Sequence, residues 1–196
     1  EQQVIDMFRD IDSTGRFVET VVLNAANMGF NAKDPAAGQD FWTVPVSEFQ
    51  EVFETNLVWN FIIIRQAAIR MREKGKGAVV FISSNTAYRA IPNRAAYSAS
   101  KGGQLGMMRG LALDLGKYNI RVNAVLPGMI RTDRWEKNPD FYARVPSRYT
   151  PIGDVATGAD VADAVWYFAA CARNTTGAEL TVDGGNTIQL YPILNR

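Results

Sequence analysis

Three short runs of apolar, largely β-branched residues limit what this chain can fold into. They are Val18 to Ala26, with Val21, Val22 and Leu23 in a row, Ala78 to Ser84, and Arg121 to Leu126. Nearly continuous apolar runs of this length suit strands buried on both faces, as in a parallel sheet. Helical signals fill the spaces between them. Val4, Ile5, Phe8 and Ile11 share a helical spacing over 2–11, followed by a turn at Asp12-Ser13-Thr14-Gly15. Ser47 with Gln50 forms a capping-box pattern, predicting a helix from there to about Glu73, ended by Gly75 and Gly77. Another helix is predicted from Ala95 to Leu115, closed by Gly116. A fourth starts at Gly158 or Asp160 and runs through Trp166 and Phe168 to about Ala172, before a last strand over Glu179 to Val182. Strands alternating with helices define an α/β fold with a doubly wound parallel sheet covered on both faces. At 196 residues and 47% hydrophobic, the chain suits one domain with a sizeable core.

In such sheets the site lies outside the carboxyl ends of the strands. Asn24, Ser84 and Pro127-Gly128 all fall where predicted strands end. Tyr97 and Lys101 follow Ser84 after a short loop and, four residues apart, share one helical face. A lysine ammonium favours the phenolate and lowers the pKa of a nearby tyrosine. An ordinary tyrosine, at about 10, needs roughly 3 units of lowering, or about 4 kcal/mol, to exchange protons near neutrality. A strand-end serine can orient a substrate oxygen beside it. This is a proton-transfer device without histidine.

The chain contains no histidine at all, which excludes a Ser-His-Asp triad and histidine metal ligation. Its one cysteine, Cys171, excludes an internal disulfide and a cysteine zinc cluster, so no metal site is expected. A single cysteine also fits a reducing compartment. The 21 basic and 20 acidic residues nearly cancel, giving no reason to expect nucleic acid or an anionic membrane. The apolar run Phe61 to Ile64 is too short to span a bilayer, and the opening Glu1-Gln2-Gln3 shows no signal peptide, so the expectation is a soluble, cytoplasmic protein. Ser98-Ala99-Ser100-Lys101 satisfies the Ser-x-x-Lys pattern of penicillin-recognising acyl enzymes, but their Ser-Asp-Asn and Lys-Thr-Gly do not occur.

Alone, Tyr-x-x-x-Lys is a weak pattern, satisfied equally by a solvated lysine beside a half-buried tyrosine. Its surroundings carry more. Ser84 stands thirteen residues before Tyr97, Asn56 lies midway along the preceding helix in Phe53-Glu54-Thr55-Asn56-Leu57, and Asn24-Ala25-Ala26-Asn27 follows a strand. Pro127 through Thr132 reads Pro-Gly-x-x-x-Thr, and Arg121-Val122-Asn123-Ala124-Val125 and Val182-Asp183-Gly184-Gly185 come in the same order. In these motifs, from about Val18 to Gly185, the chain resembles the short-chain dehydrogenases/reductases in their single-domain, Rossmann-like form.

The resemblance implies an NAD- or NADP-dependent oxidoreductase interconverting an alcohol and a carbonyl. Tyr97 would be the general acid/base. Lys101 would lower its pKa and hold the nicotinamide ribose, Ser84 would bond the substrate oxygen, and Asn56 would bind a water linking Lys101 to a proton relay. Asn24, Ala25 and Ala26 would pass close to the cofactor, and the backbone from Pro127 and Gly128 through Ile130 to Thr132 would bind the carboxamide. It also implies a small-molecule alcohol or carbonyl substrate, a variable lid at about 129–157, and a homodimer or homotetramer with two long helices packing against a neighbour. An epimerase or dehydratase using the same pair, and a non-catalytic binding or regulatory relative, are the alternatives. Asp183-Gly184-Gly185 reads as a structural turn, and the arginines Arg131, Arg134, Arg144 and Arg148 as solvated surface.

The chain departs from the family in one large respect. No Gly-x-x-x-Gly-x-Gly or Gly-x-Gly-x-x-Gly, the turn that holds the pyrophosphate at a helix N-terminus, appears in these residues. The expectation is therefore a partial domain that lacks its first βα units, roughly 60–70 residues at about 30 each, cut from a longer protein. The strand 18–26 would then form an exposed apolar edge. Ala25 and Asn27 replace an asparagine and a glycine of the family, Trp59 replaces a frequent glycine, and the loop 27–45 is longer than common.

Overall fold

The computed structural model describes residues 1–29, 41–133, 137, 139 and 149–191. Parts of the predicted long loop at 27–45 and of the predicted lid at 129–157 lie outside the described residues, as do Arg134, Arg144 and Arg148.

Four parallel strands form one sheet in the order β1-β2-β3-β4, namely Thr20–Leu23, Gly77–Ile82, Ile120–Pro127 and Glu179–Val182. The register sets Leu23 beside Phe81, Phe81 beside Ala124, and Val125 beside Leu180. Helix α1 (Gln2–Ser13) precedes β1. A continuous helical stretch links β1 to β2: α2 (Val46–Phe53), a wide π turn (Glu54–Val58) and α3 (Trp59–Lys74). Gly75, in the left-handed conformation at φ 65°, ends it. Helix α4 (Ala95–Gly116) links β2 to β3, and α5 (Gly158–Trp166), extended by a π turn (Tyr167–Cys171), links β3 to β4.

The central strand β2 carries no polar residue because both of its faces are covered. Val79, Phe81, Val122, Ala124 and Leu126 pack with Phe8 of α1, Ile64, Ala67 and Met71 of α3, and Leu105, Met108 and Ala112 of α4. Their neighbours Val80, Ile82 and Val125 point the other way, onto Ala164 of α5, Phe168 and Ala172. Each such residue contributes roughly 1.5–3 kcal/mol on burial, and Phe81→Ala would cost about 3–5 kcal/mol. Since α3 and α4 cover one face and α5 the other while the strand order keeps its direction, the last crossover has the opposite hand to the preceding one.

Two local expectations are corrected. The Ser47/Gln50 capping box does not form: the helix starts one residue earlier, with Pro45 at its N-cap and no side-chain cap. The capping box is instead at α5, where Thr157 and Asp160 bond each other reciprocally. The first strand is shorter than 18–26, because residues beyond Leu23 have no partner strand in register with them. It lies at an edge of the sheet as expected, with Val22 exposed.

Candidate active site

Helix α4 carries a continuous buried stripe that changes character along its length. Ser100, Lys101 and Gln104 are polar, while Leu105, Met108 and Ala112 are apolar. The apolar half joins the core, and the polar half meets the carboxyl end of β2 and the π turn.

Lys101 is 2% exposed and its ammonium donates to the Ile82 carbonyl at 2.7 Å. Ser83, just past β2, donates its hydroxyl to the Lys101 carbonyl at 3.0 Å, tying helix to strand end a second time. The Lys101 ammonium lies 5.5 Å from the centre of the Tyr97 ring. Burial brings the Lys101 pKa down to about 8, and no charged neighbour contributes to that shift. Tyr97 is half-buried, and its pKa is raised, first because burial disfavours the phenolate. Ser84 bonds the phenol and pulls the other way, as does the charge of Arg94. The expected lowering by Lys101 is therefore not found. Desolvation outweighs what Ser84 and Arg94 supply, and Lys101 is not among the causes of the shift.

Ser84 is buried at the N-cap of a short 3-10 turn (Asn85–Ala87), where its hydroxyl accepts from the Thr86 N–H at 3.1 Å. That hydroxyl can also donate, which leaves it able to serve an oxygen beside Tyr97.

Asn56 sits inside the π turn, fully buried, and reaches across to two other elements. Its side-chain oxygen accepts from the Asn27 N–H at 2.7 Å, and its amide donates to the Asn27 carbonyl at 2.8 Å and to the Ser100 hydroxyl at 2.9 Å. Ser100 in turn donates to the Tyr97 carbonyl at 2.8 Å. The Asn56 carbonyl accepts from the Asn60 amide at 2.7 Å and the Gln104 amide at 3.0 Å. Wide turns of this kind often occur at functional sites, because they free groups from the regular ladder.

Asn24, Ala25 and Ala26 follow β1 and are exposed on the same rim. Pro127 ends β3, and Gly128 follows with its N–H on the Val182 carbonyl at 3.0 Å. Ile130 bridges to Ala156, and Thr132 is exposed. Asp183 turns the chain after β4 by accepting from the Gly185 and Thr187 N–H groups, so Asp183-Gly184-Gly185 is a structural turn. The structure thus brings Ser84, Tyr97, Lys101 and Asn56 into one connected network and sets the other named residues at the ends of β1 and β3. Sequence reasoning missed Ser83, Asn60, Ser100 and Gln104. Asn60 four residues after Asn56, and Gln104 three after Lys101, were the available signals.

The residues present fit the nicotinamide-ribose end of a dinucleotide. A buried ammonium with the Ile82 carbonyl as its hydrogen-bond acceptor among the described residues retains donors for a diol. The glycine-rich turn for the pyrophosphate is not among these 196 residues. No group of three or more His, Cys, Asp or Glu able to hold a metal occurs among the described residues, and no described helix is long and apolar enough to cross a membrane.

A family model described as enoyl-(acyl carrier protein) reductase matches residues 1–187. An uncharacterized oxidoreductase of Thermotoga maritima is 31% identical over 197 residues, covering 97% of this chain and 73% of the relative. The 2-(R)-hydroxypropyl-CoM dehydrogenase of Xanthobacter autotrophicus is 36% identical over 153 residues, covering 74% of this chain and 59% of the relative. Among solved structures, ElxO with NADP bound superposes with a TM-score of 0.81 at 27% identity, over 96% of this chain and 75% of the other. The chain therefore spans between about half and three quarters of the length of such relatives.

Proposed function

Because this chain belongs to the short-chain dehydrogenase/reductase family of NAD(P)-dependent oxidoreductases, we propose that it interconverts a small-molecule alcohol and carbonyl with Tyr97 as general acid/base. The observation that carries this reading is the Tyr97 phenol bonded by Ser84, its ring centre 5.5 Å from the buried Lys101 ammonium, at the carboxyl end of β2.

When bound, the nicotinamide supplies or takes the hydride. The chain's residues position and move the proton. With its pKa raised, Tyr97 is a neutral phenol at pH 7 and can donate from Oη to a carbonyl oxygen as that oxygen gains charge. In the oxidative direction the phenol must first lose its proton, so higher pH favours it. Ser84 fixes the substrate oxygen by a second hydrogen bond. Lys101 would hold the ribose hydroxyls, with Asn24, Ala25 and Ala26 and the segment Pro127, Gly128, Ile130 and Thr132 lining the remaining rim. Asn56 acts by clamping Asn27, the residue after Asn24–Ala26, to α4.

We read residues 1–196 as one Rossmann-type unit with a lid at about 129–157. A cytoplasmic location belongs to the same proposal, supported by the lone unpaired Cys171. So does a homodimer or homotetramer. A groove of about 240 Å³ between α3 and α4, lined by Phe61, Ile64, Ile69, Leu111 and Tyr118, is an apolar face suited to a second copy.

The test is Tyr97→Phe, assayed by nicotinamide absorbance against a panel of secondary alcohols and ketones. Loss of roughly 10²–10⁴-fold in kcat with an unchanged circular dichroism spectrum is expected. Equal rates in the variant and parent would rule out the assignment.

A further inference from the structure

Two turns beside the site are fastened to each other by side chains that the chemistry above does not use. One follows β2 and runs from Ser84, the N-cap of the 3-10 turn Asn85–Ala87, to Arg89. The other follows β4, where Asp183 folds the chain back by holding the Gly185 and Thr187 N–H groups. Asn85 Nδ2 donates to Asn186 Oδ1 at 3.1 Å. Arg89 fastens the far end: its guanidinium donates to the carbonyls of Asn186 at 2.8 Å, Thr187 at 3.2 Å and Gln189. The Asn85 carbonyl accepts the backbone N–H groups of Tyr88 and Arg89, both at 3.0 Å, so the first turn is held at both ends against the second.

Asn186 also reaches a third segment. Its Nδ2 donates to the Tyr149 carbonyl at 2.8 Å, where Gln189 Nε2 donates as well, at 2.8 Å. A carbonyl can only accept, so Tyr149 takes the amide nitrogen of Asn186 and leaves the oxygen to Asn85. The Asn85 amide stands against the end of β3 too, since a Cβ on Gly128 would lie 3.3 Å from its Nδ2. Asn85 is the residue after Ser84, whose hydroxyl accepts from the Thr86 N–H at 3.1 Å and bonds the Tyr97 phenol. The backbone of the turn therefore sets where that hydroxyl stands, and Asn186 sets the turn.

We propose that Asn186 is a positioning residue for the proton-transfer site: through Asn85 it places the Ser84 hydroxyl that meets Tyr97 and the substrate oxygen. This rests on the assignment of Ser84 and Tyr97 to that site. The charged groups that face Tyr97 are Arg94 at the N-cap of α4 and Lys101 one turn further on. Asn85 and Asn186 carry no charge, so replacing them alters neither of these, and a change at Tyr97 has to arrive through Ser84.

The test is a ¹³C NMR titration of the tyrosine rings in the parent, Asn186→Ala, Ser84→Ala and the double variant, with Tyr97 assigned by its loss in Tyr97→Phe. The Ser84 bond pulls the Tyr97 pKa down, so Tyr97 in Asn186→Ala should titrate higher than in the parent, by about half a unit. Adding Asn186→Ala to Ser84→Ala should shift it no further. Asn85→Ala breaks the same bond from the other side and serves if Asn186→Ala does not fold. An unchanged Tyr97 titration in every folded variant would overturn the proposal, and so would a shift that is as large without Ser84 as with it. Absence of turnover in the parent counts against the catalytic reading alone, since this titration needs no substrate.

Discussion

Asn56 holds Asn27 by both of its backbone groups: the side-chain oxygen accepts from the Asn27 N–H at 2.7 Å, and the side-chain amide donates to the Asn27 carbonyl at 2.8 Å. An amide side chain here does what a neighbouring strand would do. Leu23 is the last residue of β1 in register with β2, so Asn56 secures a segment that the sheet no longer holds. The same amide reaches Ser100, one residue before Lys101, so the segment after β1 and helix α4 share one anchor.

Asn56→Asp is expected to break this anchor while keeping its shape. The carboxylate has no donor for the Asn27 carbonyl or the Ser100 hydroxyl, and it places a charge at a fully buried position. A loss of roughly 2–4 kcal/mol in urea denaturation is expected, with protease sensitivity rising near Asn27. A variant as stable as the parent would show that the clamp carries no energy.

Lys101 makes the protein's stability depend on pH. Its folded pKa of about 8 lies below the ordinary 10.5, so between those values the unfolded chain binds more protons and the Lys101 contribution rises with pH. Below about pH 8 the folded protein carries a buried charge at full cost. Lys101→Met should therefore be more stable than the parent at pH 7, by about 3 kcal/mol at most, with the gap closing toward pH 10. Chemical denaturation of both proteins at the two pH values tests this, and a gap independent of pH would refute it.

Gly128 has no space for a side chain. A Cβ there would stand 2.5 Å from the Asp183 Cβ and 3.0 Å from its Cα, which belongs to backbone that cannot rotate aside. Gly128→Ala should cost about 1–3 kcal/mol and push the β3 end away from the Asp183 turn. Thermal melting measures the first effect, and weakened cofactor binding by calorimetry would report the second.

The groove between α3 and α4 predicts an assembly phenotype. Ile69 is exposed there beside Arg65 and Arg72, so Ile69→Lys adds a third like charge to an apolar face. Sedimentation velocity should show smaller species for the variant than for the parent. An unchanged distribution would mean that copies of this chain do not meet on this face.

The strands, their parallel pairing and the rim positions of Asn24, Ser84 and Pro127 were legible in the sequence. Apolar runs buried on both faces and fixed spacings are local properties. The Tyr97–Lys101 pair was legible because a helix brings residues four apart together whatever surrounds it. The capping box was misplaced because Ser47/Gln50 and Thr157/Asp160 satisfy similar patterns, and only the start of each helix decides which one forms.

By itself the sequence determined a doubly wound parallel sheet, a tyrosine and a lysine on one helical face in a chain without histidine, and the residues offered to the rim. Tertiary structure alone decided how those residues are spent. It gave the Lys101 ammonium to the Ile82 carbonyl, clamped Asn56 onto Asn27, and raised the Tyr97 pKa that the pair alone would lower. The reason is that desolvation and hydrogen-bond partners depend on which distant segments converge. A spacing of four residues fixes a shared face, but it does not say how much water reaches that face or which carbonyl stands opposite.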